Sequence, residues 1–127
     1  GVWETIRDYP WSGVPAPREI CERYLAALNT HDPAEVLSLY TNTAVHINAS
    51  RSTQGLDNLR TWYVQLFNNL LPDAIFKLTG YSGVGNSRHL TWTATSPKGK
   101  VNNGNDTFGL LDGKINYHYS FFTVQKE

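Results

Sequence analysis

The chain has 127 residues, 11 of them Lys or Arg and 11 Asp or Glu, giving a formal net charge of +0. That length suits one domain around one core, and 40% hydrophobic against 17% charged residues excludes a disordered chain. The charge balance leaves no basic stripe for nucleic acid or an anionic membrane, and Cys21, the one cysteine, excludes an internal disulfide and any CxxC metal or redox site.

Residues 1–16 read as an aromatic, proline-punctuated arm without periodicity, ahead of a single domain over residues 17–127. A first helix follows, with Pro17 near its first turn and Ile20, Tyr24 and Leu28 on one stripe; Cys21 reads there as a packed, inert thiol. "DPAE" starts a short second helix with Asp32 as N-cap, Pro33 at the first helical position and Glu35 completing a capping box. Asn42 and Thr43 break the pattern before a short strand, "AVHIN". A third helix is predicted over Leu56–Leu71, with Leu56, Leu59, Tyr63, Leu66 and Leu70 on one face and Pro72 as its stop.

The remainder reads as strands, about Ala74–Tyr81, Arg88–Thr95, Val101–Leu111 and Lys114–Val124, and Asp112-Gly113 is the strongest hairpin signal. Early helices followed by hairpins imply an α+β fold, three helices on one face of a curved antiparallel sheet. Such a sheet, closed at one end by helices, encloses a cavity. No apolar run is long enough to span a bilayer and no leader is visible, so the expectation is a cytoplasmic protein without membrane contact. The glycosylation spellings at Asn48 and Asn105 carry little weight without a secretory context.

"YLAALNTHDPAEVLSLYTNTAVHIN" and "LDGKINYHYSFF" resemble the nuclear transport factor 2-like superfamily, especially its SnoaL-like and ketosteroid-isomerase-like branches. The resemblance covers about Pro17–Thr123 and implies a cone-shaped sheet around a central pocket. It implies little about function, because the same cone hosts isomerases, cyclases, dehydratases, hydrolases and binders. Matched residue by residue, the isomerase's helix-one tyrosine falls on Tyr24, its base aspartate on Asn48 and its protonated aspartic acid on Thr107. Asn48 cannot take up a proton as a carboxylate does, so that isomerase mechanism is not implied. Where SnoaL-like chains often read "EHWD", this one reads "YHYS", with His118 in the histidine position and Ser120 in place of the final aspartate.

A two-residue turn at Asp112-Gly113 pairs Leu111 with Lys114, and extending that register sets Thr107 opposite His118, Asn105 opposite Ser120 and Asn103 opposite Phe122. The resemblance puts this face inside the cone and leaves Asp106, Phe108, Tyr117, Tyr119 and Phe121 outside. Binary patterning points the other way at Phe108 and Leu110, and at Val45 and Ile47 against His46 and Asn48. A bulge would exchange the faces. Trp92, on an apolar face with Leu90 and Ala94, is expected to line the pocket.

In the family register, His118, Tyr24, Asn48 and Thr107 are the catalytic candidates: His118 as proton shuttle, the others polarising a carbonyl. His46, Trp62, Tyr63, Trp92, Asn105, Ser120 and Phe122 are the candidate substrate-binding set. The competing reading makes His118 a hydrogen-bonded interior histidine and Tyr24 a core tyrosine; His31 and His89 read as surface residues. His46 and His118 lack a carboxylate or thiolate at a metal-site spacing, and no glycine-rich phosphate or dinucleotide loop exists, so neither metal nor cofactor is expected. Three functions follow. The first is cofactor-independent acid–base isomerisation, cyclisation or dehydration of a small apolar carbonyl or polyketide-like compound; the second, non-catalytic binding of a small apolar or aromatic ligand; the third, assembly through the outer sheet face. That face is expected to form a homodimer, since three exposed rings make an apolar patch.

Overall fold

The computed structural model describes residues 19–126, so the arm assigned to residues 1–16, and Pro17 of the first helix, lie outside the described residues. Three helices pack on a six-stranded sheet: α1 (Ile20–Asn29), α2 (Pro33–Leu37), β1 (Tyr40–Ile47), β2 (Ser52–Gln54), α3 (Leu56–Gln65), β3 (Ile75–Ser82), β4 (Ser87–Ser96), β5 (Gly99–Leu111) and β6 (Lys114–Phe121). The architecture is the expected α+β cone. The strand order is β2-β1-β6-β5-β4-β3, so the last strand lies in the middle. The sheet is not wholly antiparallel, because β1 and β6 run parallel. Register shifts interrupt the β1–β6, β3–β4, β4–β5 and β5–β6 pairings, and each such irregularity bends its strand and adds twist. A sheet bent at that many places curls around its helices.

Local chemistry explains most element ends. Glu19 accepts the Cys21 N–H at 2.6 Å to cap α1 and pairs with Arg88 at the start of β4, which fixes the helix against the sheet. Asp32 accepts the Ala34 N–H at 2.9 Å, as an N-cap should, while Glu35 adds only its charge to the first turn of α2. At the other end of α1, the Asn29 amide pairs with both backbone groups of Phe76 on β3, at 2.8 and 2.9 Å. Asp112 and Gly113 both have positive φ, 52° and 79°, the conformation a tight two-residue hairpin requires.

Three expectations about the elements are corrected. β1 starts at Tyr40, and Asn42 and Thr43 belong to it, in the irregular stretch between Tyr40 and Val45. The short edge strand β2 was not anticipated. The third helix changes hand-over at Leu66: residues Leu66–Leu70 form one π turn, closed by Leu71 N–H to Leu66 O at 2.8 Å. The wider turn rotates the stripe, so Phe67 and Leu71 enter the core while Leu70 is left 38% exposed.

The largest correction concerns β5 and β6. Leu111↔Lys114 and Leu110↔Ile115 pair as the turn dictates, but Gly109 then faces Tyr117 and Phe108 faces His118. Asn116 is the extra residue. Its side-chain oxygen accepts the hydroxyls of Thr41 and Thr43 on β1, at 2.6 and 3.1 Å, so the bulge is stitched to the irregular stretch beside it. From this point the family-derived register is off by one. Asp106 faces Ser120 and turns inward with Phe108, while Thr107 and Asn105 turn outward. Ile115, on the turn side of the bulge, is buried, while Tyr117, Tyr119 and Phe121 beyond it stay on the outer face.

Gly104 on β5 lies opposite Trp92 on β4, and a Cβ built there would sit 2.2 Å from the indole ring. The ring lies flat over the glycine, which is why a mid-strand glycine is tolerated. Gly104→Val should therefore displace Trp92 and cost about 3 kcal/mol by urea unfolding. Gly109→Ala, whose Cβ would meet Tyr117 Cβ at 3.3 Å, should cost well under half of that.

Candidate functional site

Inside the cone, five polar side chains from five elements form one continuous chain. Tyr24 (α1) and Tyr63 (α3) approach hydroxyl to hydroxyl at 2.9 Å, Tyr63 and Tyr40 (β1) at 2.5 Å, and Tyr40 reaches His118 Nδ1 (β6) at 2.6 Å. His118 Nε2 reaches Asp106 Oδ2 (β5) at 2.5 Å. The other carboxylate oxygen of Asp106 accepts the Trp92 indole N–H at 2.8 Å and the Ser120 hydroxyl at 3.1 Å. All of these side chains are buried, Asp106 and His118 completely. A buried charge needs such company, because desolvating a carboxylate without donors costs several kcal/mol.

Burial, reinforced by neighbouring hydroxyls, pushes the Tyr24 and Tyr40 phenols well above their ordinary range, and burial does the same to Tyr63. Each therefore keeps its hydrogen, and the chain has a direction. Asp106 as a carboxylate only accepts, so His118 Nε2 carries a proton. With neutral imidazole, Nδ1 accepts from Tyr40, Tyr40 accepts from Tyr63, and Tyr63 accepts from Tyr24. With imidazolium, Nδ1 donates to Tyr40, whose oxygen can accept this bond and the one from Tyr63 together, or the hydroxyl bonds can reverse in turn toward Tyr24.

His46 stands beside this chain. It pairs with His118 across the parallel strands, with ring centroids 4.5 Å apart, and is 1% exposed. Its Nδ1 has no hydrogen-bond partner among the described residues. Burial, with His118 adding to it, pushes its pKa down to about 2, so His46 is a neutral imidazole. Trp62 covers its ring, at a centroid distance of 5.6 Å, and Trp62 in turn meets Phe122 at 6.5 Å.

Two cavities open at the mouth of the cone. One, of about 340 Å³, is lined by Asn48, Trp62, Ser120, Phe122 and Val124 among others. The other, of about 520 Å³, runs between β2 and α3. Ser120 is the member of the Asp106 cluster that lines a cavity; His118 is spent on Tyr40 and Asp106 and lines neither.

The structure thus brings together Tyr24, Tyr63, His46, Trp62, Trp92, His118, Ser120 and Phe122 on the inner side. It does not bring Thr107 or Asn105 there. Thr107 pairs with His89 and Tyr119 on the outer face, and Asn105 is exposed, accepting from His89 Nε2 at 2.7 Å. The Asn116 bulge is the physical reason for both. Asn48 lies at the cavity rim, but its oxygen is committed to the turn, accepting the Ser50 and Arg51 N–H groups at 2.8 and 3.0 Å.

Sequence reasoning missed Asp106 and Tyr40. The signal for Asp106 was the parity it shares with Phe108; Tyr40 fell before the expected start of β1. Cys21 is buried and its thiol is pushed up to about 12, burial first and Glu19 second, so it is inert. Among the described residues no three His, Cys, Asp or Glu side chains could together hold a metal ion, and no helix is long and apolar enough to cross a membrane.

This geometry, a bent sheet folded over helices with a polar chain at its centre, is that of a nuclear transport factor 2-like cone. The SnoaL-like domain family matches residues 21–118, and the chain belongs to that family. No curated protein sequence matches it. Solved structures with the same fold include a candidate isomerase of the SnoaL-like family from Agrobacterium tumefaciens, 21% identical over 82% of this chain and 94% of that one, with a TM-score of 0.68. A candidate polyketide cyclase from Sinorhizobium meliloti is 16% identical over 80% and 92%, with a TM-score of 0.69. A candidate ketosteroid isomerase from Kribbella flavida is 15% identical over 85% and 78%, with a TM-score of 0.70. At these identities the likeness is one of fold.

A His46 pKa near 2 in the folded state, against about 6.5 unfolded, sets the sign of a pH effect. The unfolded chain binds the extra proton between those values, so this contribution is full above pH 6.5 and falls as the pH drops. Between pH 7 and pH 5 the wild type should lose about 2 kcal/mol more stability than His46→Phe in parallel urea titrations. Equal losses would mean that His46 is protonated in the folded protein.

Proposed function

We propose that the protein is a cofactor-independent acid–base enzyme that isomerises, cyclises or dehydrates a small, largely apolar carbonyl compound. One observation carries this reading: a buried Asp106–His118 pair that meets an aromatic-walled cavity through the Ser120 hydroxyl. Ser120 donates to Asp106 and so presents its lone pairs to whatever occupies the cavity. A substrate proton can pass to Ser120 Oγ as Ser120 passes its own to Asp106, which places the proton on the carboxylate without exposing it. His118 then serves as a relay and not as the contacting base, because its two nitrogens are occupied; this revises the shuttle role expected from the sequence. The Asn48 amide hydrogens, free of the turn bonds made by its oxygen, are the donors suited to polarising the carbonyl. Thr107, on the outer face, has no part.

The same occupancy of His118 favours a second reading, a non-catalytic binder in which the chain is a structural strut. The two part on proton exchange at the α-carbon of a bound probe ketone, 2-tetralone, followed by NMR in deuterated buffer. Wild type should exchange it well above the buffer rate, and Ser120→Ala and His118→Gln should each lose about 10²-fold while still binding the ketone. Binding without any acceleration would make the protein a binder.

The outer face is proposed to pair with a second copy of the chain. Tyr117, Tyr119 and Phe121 alternate along the central strand and are 38%, 38% and 41% exposed. Sedimentation should give a dimer at high micromolar concentration, and Tyr119→Glu a monomer. A clean monomer of the full chain and of a chain lacking residues 1–15 would overturn the pairing.

A further inference from the structure

The two cavities adjoin, sharing Arg51, Trp62 and Leu70. Their linings differ. Around Ser120 the wall is aromatic and aliphatic, with Phe122 and Val124; between β2 and α3 it is made of hydroxyls and amides, Thr53, Gln54, Asn58 and Gln65 among them. Arg51 is the one charged side chain among the described residues lining either cavity. A guanidinium at the junction of an apolar chamber and a polar groove, with no carboxylate among the described residues of either lining, makes a positive potential there.

Arg51 also stands on a fixed support. Asn48 ties its turn at three points: its oxygen takes the Ser50 and Arg51 N–H groups, and its N–H donates to Arg51 O at 3.0 Å. Leu70 reaches the same junction because the π turn after α3 rotates it out of the core. With the backbone tied, only the Arg51 side chain has to be ordered when a ligand arrives.

We infer that the ligand of this pocket is an amphipathic anion whose carboxylate is held by Arg51. Its apolar body lies in the smaller cavity against Trp62, Phe122 and Val124, next to Ser120. The inference rests on the pocket reading given above and narrows its substrate class from apolar carbonyl compounds to those carrying an acid group, such as aromatic or cyclic keto acids. Guanidinium suits a carboxylate because two parallel N–H groups match its two oxygens. The smaller cavity, about 340 Å³, lies in the size range of small-ligand sites.

The test uses a matched pair of probes, 2-naphthoate and its neutral isostere 2-naphthamide, titrated into the full chain by calorimetry at pH 7. Wild type should bind the naphthoate about tenfold more tightly than the amide. Arg51→Gln should erase that preference and leave amide affinity and melting temperature unchanged, since Arg51 is exposed. Arg51→Lys, which keeps the charge and loses the fork, should retain part of the preference. Equal affinities in the wild type, or a preference that survives Arg51→Gln, would overturn the anion site while leaving the pocket standing. Binding of neither probe would instead remove the pocket reading, and the inference with it.

Discussion

The Asp106 carboxylate is the constraint around which the sheet is organised. A charge buried this completely must be matched by donors, and here they come from β4 (Trp92) and β6 (His118 and Ser120). Sliding either neighbour by one residue would turn those donors away and leave the charge unpaired, at a cost of several kcal/mol. The same carboxylate requires a proton on His118 Nε2, and in the neutral imidazole this leaves Nδ1 to accept from Tyr40 and sets the direction of three tyrosine hydroxyl bonds. Strand register, tautomer and hydroxyl orientation are thus one decision.

Much of this was legible in the sequence, and the failures have a single origin. The capped short helix, the Asp112-Gly113 turn and the inner positions of His46, His118, Ser120, Trp62 and Trp92 follow from local pattern and the family resemblance. Beyond Ile115 the register could not be read, because a bulge adds one residue without any marker as plain as a glycine. Asn116 is an ordinary strand residue until two threonine hydroxyls from β1, more than 70 positions away, find its side chain. The alternation of Phe108 with Asp106 did hold the answer, and extending the turn register overrode it. Other misses are of the same kind. The parallel β1–β6 pairing and the π turn are set by distant packing, and a window of ten residues contains no trace of them.

The site separates into a dry part and a wet part. The tyrosine chain, His118 and Asp106 are sealed in the core, while Ser120, the Asn48 amide, Trp62 and Arg51 meet the cavities. Such a division keeps the charge and its polarity stable against changes at the mouth. Phe122 links the two parts, since its ring lies 5.3 Å from Trp92, whose indole N–H donates to Asp106. His46 lies between the two parts, buried yet with an unused nitrogen, screened by Trp62.

The order of strands has a consequence for how the chain matures on the ribosome. β6 is the last of the described strands to be synthesised and, within the described sheet, the strand that joins the β2–β1 pair to the β5–β4–β3 meander. Until it emerges, Tyr40 on one part of the sheet and Asp106 on the other lack the imidazole that joins them. Helices and hairpins can form locally at this stage, but closure of the cone requires contacts across nearly the whole sequence, the slow kind to establish. Nascent chains stopped before Lys114 therefore contain all three described helices and five of the six described strands, and still lack the strand that joins the two parts of the sheet.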